Sequence, residues 1–248
     1  MKSLGGFIAF PALPILFLAM PGTFLQAADT GGAPGSAAGS AGSAGTLTFL
    51  GRATVKIVTA DGIIIYIDPF APGDYSQPAD ILLVTHGHMD HNKVQLVKLK
   101  PGARVFAPAD AIQRLKYEEV TEGSALTIGS VSIRVVPAYN KNHDRASSVG
   151  YLVSWGGITV YHAGDTSLIP EMRDFSQYAI TYALLNCDAV FNMDPAEASE
   201  VGRLIEAKHV IPIHSSGQGL WDKKNASAVT GRDVIVMERG QTIPLKKE

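Results

Sequence analysis

His86-Gly87-His88-Met89-Asp90-His91 stands directly after the apolar run at 81–84 (ILLV) and Thr85. Three imidazoles and one carboxylate in six consecutive residues are the ligand types of zinc or a similar divalent ion. In an extended segment, residues two apart point to the same side, so His86 and His88 can grip one ion. Gly87 permits a tight backbone turn between them. Asp90 and His91, at the expected start of the next helix, project from a different backbone geometry and can serve a second ion. The bland alternative is a polar turn with solvated histidines.

Working outward, the flanking pattern is rich in strands. Residues 47–50, 54–59 and 63–67 are β-rich and are separated by Gly51 and by the hairpin signal Asp61-Gly62. The run at 81–84 suits a strand buried on both faces. Further strands are expected at 131–136, 149–153, 158–161, 183–185, 210–213 and 234–237, and helices at 91–99, 109–117 and 196–207. Strands first, then strands and helices interspersed, fit two sheets covered by helices.

Composition narrows the function classes. The chain has 248 residues, 46% hydrophobic and 18% charged, which suits a folded domain with a sizeable core and not a disordered chain. Lysine and arginine total 21 against 23 acidic residues, a net charge of −2. That balance argues against a nucleic-acid partner held by phosphate contacts. A single cysteine, Cys187, excludes an internal disulfide and a four-cysteine zinc site, and is expected to be a buried, inert thiol.

The N-terminus has the tripartite pattern of a secretory signal peptide. Lys2 is followed by the apolar run at 7–18 and the small-residue site Leu25-Gln26-Ala27. Pro11, Pro14, Pro21 and Gly22 interrupt a run already short of the ~18–20 residues that span a bilayer. The expected organisation is a cleaved signal at 1–27, a Gly/Ala/Ser-rich linker at 28–45 and a folded domain at 46–248. Export with no later membrane span implies the periplasm or the exterior.

Six stretches in order carry a resemblance: Ile67-Asp68-Pro69-Phe70, the HGHMDH run, Pro137-Ala138-Tyr139-Asn140, Tyr161-His162-Ala163-Gly164-Asp165-Thr166, Met193-Asp194-Pro195-Ala196-Glu197-Ala198 and Ile211-Pro212-Ile213-His214. From about residue 46 to 214 the chain resembles metallo-β-lactamase-fold hydrolases, most of all the branch that includes ascorbate-6-phosphate lactonase-like proteins. The resemblance implies an α/β, four-layer αββα sandwich and two divalent ions, zinc first and manganese as the alternative. It assigns one ion to His86, His88 and His143, the other to Asp90, His91 and His214, with Asp165 bridging both. His162 is the rival to His143 and is expected to pack beneath the site; His209 is expected to be exposed. Asp68 either supports the metal loop by hydrogen bonding, as the resemblance implies, or simply forms an Asp-Pro turn.

The implied chemistry is hydrolysis of an ester, lactone, thioester or phosphodiester of a small molecule by a metal-activated hydroxide, with Asp90 also placed to relay a proton. A β-lactamase is the lesser reading, because such members carry cysteine or serine where this chain has Asp165. A non-enzymatic metal-binding protein on the same fold is the other alternative. Tyr139, Asn140, Lys141, Arg145, Gln218 and Trp221 are candidate pocket residues. One departure stands out: Gly51-Arg52-Ala53 replaces the Gly-His-Ala or Gly-His-Ser of many relatives.

Overall fold

A computed structural model describes residues 43–109, 111–113 and 115–247. The expected signal at 1–27, and the expected linker as far as residue 42, lie outside the described residues. Strand β1 (Ser43–Gly51) starts three residues ahead of the expected domain boundary, because Ser43 and Gly45 pair with Lys246 and Leu245. Glycine, alanine and serine carry no side-chain signal for a strand; here backbone pairing holds them.

β1 turns through Arg52 into β2 (Thr54–Thr59), which forms a hairpin with β3 (Ile64–Ile67) across Asp61-Gly62, where Gly62 has φ +88°. β4 (Ala79–Leu83), β5 (Leu99–Ala107) and β6 (Glu118–Glu119) then add in parallel beyond β3. A second sheet starts as the antiparallel meander β7 (Ala125–Ile128), β8 (Val131–Pro137), β9 (Val149–Trp155) and β10 (Ile158–His162). It ends with β11 (Tyr182–Asn186) and β12 (His209–Ile213), both parallel to β10. The last strand, β13 (Thr242–Lys246), returns to the first sheet beside β1. The sheet orders are β13-β1-β2-β3-β4-β5-β6 and β12-β11-β10-β9-β8-β7.

Period-two alternation builds the centre. Leu47, Phe49, Val55, Ile57, Ile65 and Ile81 of one sheet meet Ile133, Tyr151, Val153, Leu184 and Ile211 of the other. The intervening residues face outward and are covered too, which is why 64–67, 81–84 and 183–185 read as unbroken apolar runs. Over the second sheet, Tyr161, Ala183 and Leu185 lie under a 3-10 helix (Pro170–Tyr178) and α1 (Pro195–Leu204). Asp194 caps α1 by accepting from the Glu197 N–H at 2.8 Å, with Pro195 in its first turn. A shorter helix, α2 (Lys223–Ala228), follows β12.

The layer over the first sheet departs from expectation. No α-helix forms at 91–99 or 109–117 among the described residues. The first stretch keeps only a 3-10 turn, Val94–Leu96. Its polar groups are committed elsewhere: the Lys93 backbone N–H donates to Pro69 O at 2.8 Å, and the Asn92 side-chain amide donates to Gly87 O and Ala111 O. Leu99 already belongs to β5. In the second stretch the neighbours Ala111 and Ile112 are both buried and anchor a loop against the sheet. The strand expected at 234–237 is reduced to one bridge between Val234 and Val210.

The topology positions the site. Asp68, His86, Asp165 and His214 follow the carboxyl ends of β3, β4, β10 and β12, where open α/β sheets gather their ligands.

Candidate metal centre

Asp68 organises the loop after β4. It adopts φ +49°, and its Oδ1 accepts the Thr85 N–H at 2.7 Å. Its Oδ2 accepts the Thr85 hydroxyl at 2.7 Å and His91 Nδ1 at 2.8 Å. The Thr85 oxygen, its proton given to Asp68, is left to accept from His86 Nδ1 at 3.0 Å. Both imidazoles therefore turn Nε2 toward the centre. Of the two readings of Asp68, the loop-supporting one holds.

A like arrangement recurs twice, as a hydrogen bond behind His143 and as an ion pair behind His214. His143 pairs in a tight turn with Asn140, whose Oδ1 lies 2.9 Å from His143 Nδ1. His214, at φ +42°, has Asp188 Oδ2 2.8 Å from its Nδ1. Asp188 is itself fixed, since its Oδ1 accepts the N–H groups of Val190, Phe191 and Asn192 at 2.8, 2.9 and 3.0 Å. Partners of this kind set the tautomer and raise the basicity of a ligating histidine. Asp188 was not singled out in the sequence. It follows β11 as Asp68 follows β3 and Asp165 follows β10, and that strand-then-aspartate signal was available.

Three sets of potential ligand atoms each converge within 4.8 Å: His86, His88 and His143; Asp90, His91 and His214; and His86, His91 and Asp165. Asp165 Oδ2 lies 3.3 Å from His143 Nε2, 3.4 Å from His214 Nε2 and 3.5 Å from His91 Nε2. It thus faces histidines of both expected groups. Asp90 Oδ2 is 3.7 Å from His214 Nε2 and 3.9 Å from His91 Nε2. All seven expected residues come together, with His88 exposed and His86, His91, His143, Asp165 and His214 buried. Gly164 lets the chain reach this point: it has φ +62°, and a Cβ there would sit 2.7 Å from Val149 O.

The donor set fits a divalent cation. His86 Nε2, His91 Nε2, His214 Nε2 and Asp165 Oδ1 are buried without a hydrogen-bond partner. Four such atoms aimed at one another would be costly unless a cation satisfies them. Charge points the same way. Burial lowers the proton affinity of His91, but Asp165 and Asp68 outweigh it and raise its pKa well above the usual imidazole value. His214, against the same burial, is raised to about 9 by Asp165, Asp188 and Asp90. Burial works against ionised Asp165, yet His214 and His91 hold it well below the usual carboxylate range. His86, buried and beside His91, is pushed well down. The centre is an anionic cluster that collects positive charge, as a metal site must.

His162 is not among the converging groups. Its Nε2 bonds to Ala53 O at 2.8 Å and its Nδ1 accepts the Gly164 N–H at 3.2 Å, so both ring nitrogens are used. His209, expected to be exposed, stacks on Tyr182 at 4.6 Å and pairs with Asp233. Cys187 is buried beside Asp188, and burial pushes its thiol up to about 12.

The mouth of the site is a cavity of about 310 Å³ lined by Arg52, His88, Asp90, Asn142, His143, Asp165, Phe191 and Gly217. Asn142 and Phe191 were not expected there. Arg145 is turned away, bonded to Glu122 and Glu171 and lying over Tyr139. Trp221 packs edge-on against core residue Phe49 at 5.0 Å, while Lys141 and Gln218 are exposed outside this cavity. Asn140 orients His143 from behind the site.

Comparison with known proteins agrees with this geometry. The Beta-lactamase superfamily domain profile matches residues 46–214. A UPF0173 metal-dependent hydrolase of Pyrococcus furiosus is 35% identical over 227 residues, covering 80% of this chain and 99% of its own. One from Myxococcus xanthus is 33% identical over 232 residues, covering 80% and 83%. Among solved structures, the metallo hydrolase Igni18 of Ignicoccus hospitalis superposes with TM-score 0.65 at 23% identity, over 82% of this chain and 99% of that one. CmlA of Streptomyces venezuelae, a diiron β-hydroxylase, superposes with TM-score 0.61 at 16% identity, over 82% and 54%, so the fold alone does not fix the reaction. With the profile spanning the sheets and the site, and relatives matched along nearly their whole length, the chain belongs to the β-lactamase superfamily, among its metal-dependent hydrolases.

Proposed function

We propose that this hydrolase uses two divalent ions, zinc first and manganese as the alternative, to cleave an ester, lactone, thioester or phosphodiester in a small molecule. His86, His88 and His143 would hold one ion, Asp90, His91 and His214 the other, and Asp165 would touch both. One observation carries the reading: Asp165 Oδ2 stands within 3.3–3.5 Å of histidines from both groups. Bound there, such ions lower the pKa of a coordinated water toward about 7 and polarise the scissile group.

The chain's own residues supply orientation and charge. Asp68, Thr85, Asn140 and Asp188 fix the imidazoles from behind. Asp165 and Asp90 bring negative charge to the cations. Asp90 is the candidate proton relay, but Arg52 donates twice to its Oδ2, at 2.8 and 2.5 Å, which leaves Oδ1 for that role. An aspartate at position 165 favours acyl or phosphoryl substrates outside the β-lactam class. The signal-like pattern at the N-terminus supports a periplasmic or external site of action.

The test is to measure metal content and hydrolysis together on a panel of lactones, esters, thioesters, phosphodiesters and β-lactams. Turnover that requires two ions per chain on one of the first four classes supports the proposal. Two ions bound with no turnover on any of them would leave a metal-binding protein instead.

A further inference from the structure

Arg52 stands where the resemblance implies a histidine, and it is built into the metal centre. Its backbone is pinned on both sides: the N–H donates to Leu220 O at 2.6 Å, and the carbonyl accepts the His214 N–H at 2.7 Å. The residue sits at φ +56° in the turn between β1 and β2, with a side chain only 9% exposed. Four of the five N–H groups of its guanidinium are engaged. Nε and Nη2 donate to Asp90 Oδ2, while Nη1 donates to Ser216 O at 2.6 Å and Gly219 O at 3.1 Å. An arginine held this way is a fixed positive charge and not a hand free to take a substrate anion.

The two ligand groups are therefore unequal. Asp90 Oδ2, the oxygen that Arg52 holds, is the same oxygen that faces His91 and His214. A divalent ion in that group must share its carboxylate with a buried cation and bear the repulsion between them. In the other group, His86, His88 and His143 have no lysine or arginine ion pair beside them among the described residues, and Asp165 meets only histidines.

We propose that Arg52 is a resident cation of the Asp90–His91–His214 group. The chain then binds its first ion tightly at His86, His88, His143 and Asp165, and its second ion much more weakly. This rests on the two-ion reading above and adds an order of loading that the chain itself sets. A split of about 100-fold between the two dissociation constants is the expected scale for a carboxylate oxygen shared with a buried like charge.

The test is a titration of metal-free folded chain with Zn²⁺ against a chelating competitor. Co²⁺ absorption provides a second readout that does not depend on activity. The wild type should fill in two steps about 100-fold apart. R52Q should tighten the second step by at least about 10-fold and leave the first in place, while R52K, which keeps the charge, should preserve the split. D90N should abolish the second step only. Two inseparable steps in the wild type, or a split that R52Q leaves untouched in folded protein, would overturn the proposal. The wild-type titration decides this even if R52Q does not fold. A wild type that takes up no ion at all refutes the metal reading itself, which is a different result from two equal ions.

Discussion

Removing the charge of Asp68 tests whether the centre is organised from behind. Its carboxylate accepts three buried donors: the Thr85 N–H, the Thr85 hydroxyl and His91 Nδ1, at 2.7, 2.7 and 2.8 Å. Asp68→Asn keeps the shape but turns one acceptor oxygen into an NH₂ group. If the amide oxygen stays on the Thr85 N–H, the NH₂ faces both the Thr85 hydroxyl and His91 Nδ1. The hydroxyl can rotate and accept, but it then donates where His86 Nδ1 had donated, and the His91 N–H is left without an acceptor. One buried donor stranded costs about 1–3 kcal/mol, and losing the charge on the remaining bonds about 1 more. We therefore expect Asp68→Asn to lower stability by about 2–4 kcal/mol. Metal affinity at the His91 group should fall by about 10–100-fold, because the tautomer is no longer fixed. Urea unfolding with excess chelator gives the first number, and competitive metal titration of the folded variant gives the second. If Asp68→Asn unfolds at the wild-type urea midpoint and binds both ions as tightly, the backing network does not hold the ligands.

Three further outcomes follow from the same geometry. Asp165→Ala should weaken both ions, since Oδ2 faces both groups, whereas His214→Ala should mainly weaken the second; elemental analysis with activity separates them, and two tight ions in Asp165→Ala would sink the bridge. His162→Ala should keep both ions but lose about 2–4 kcal/mol in chemical denaturation, because Ala53 O and the Gly164 N–H lose their buried partner; loss of one ion there, with His143→Ala unaffected, would exchange the roles of the two histidines. Mass spectrometry of natively exported protein should begin at Ala28, and an intact Met1 outside the cytoplasm would count against cleavage.

The strands with strict alternation or unbroken β-branched runs were legible: β2 falls at 54–59 as expected, and β3, β4, β8, β9 and β12 lie within a residue or two of expectation. What escaped were elements held by partners far away in sequence. β5 carries Pro101-Gly102 and reads as a turn, yet Leu99 pairs with Ala79 before that irregularity and Arg104, Val105 and Phe106 pair with Ile81, Leu82 and Leu83 after it. β13 is an edge strand beside β1, and Ser43 at the start of β1 is held there by Lys246. The helices expected at 91–99 and 109–117 have plausible local composition. They lose to bonds that the Lys93 N–H and the Asn92 side chain donate to the carbonyls of Pro69, Gly87 and Ala111, which no local pattern announces. Ligand types and their order could be read from motifs; of the partners that aim them, Asp188 is signalled only by its place after a strand, and Thr85 by nothing local.

Arg52 shows why the two levels must be joined. In the sequence it is a substitution at a position outside the ligand set, and metal binding should survive it. In the structure its peptide carries His214 on one side, and its guanidinium carries Asp90 on the other. Both are ligand candidates of the same group. A residue that contributes no ligand can thus set both the position and the charge of one half of the centre. The other half rests on Thr85, Asn140 and Asp165, which Arg52 does not bond. Asp165 and the Asp68–Thr85 pair serve both halves, but Arg52 bears on one, so its charge acts unequally on the two cation affinities. That asymmetry makes graded loading of two ions physically available to this fold.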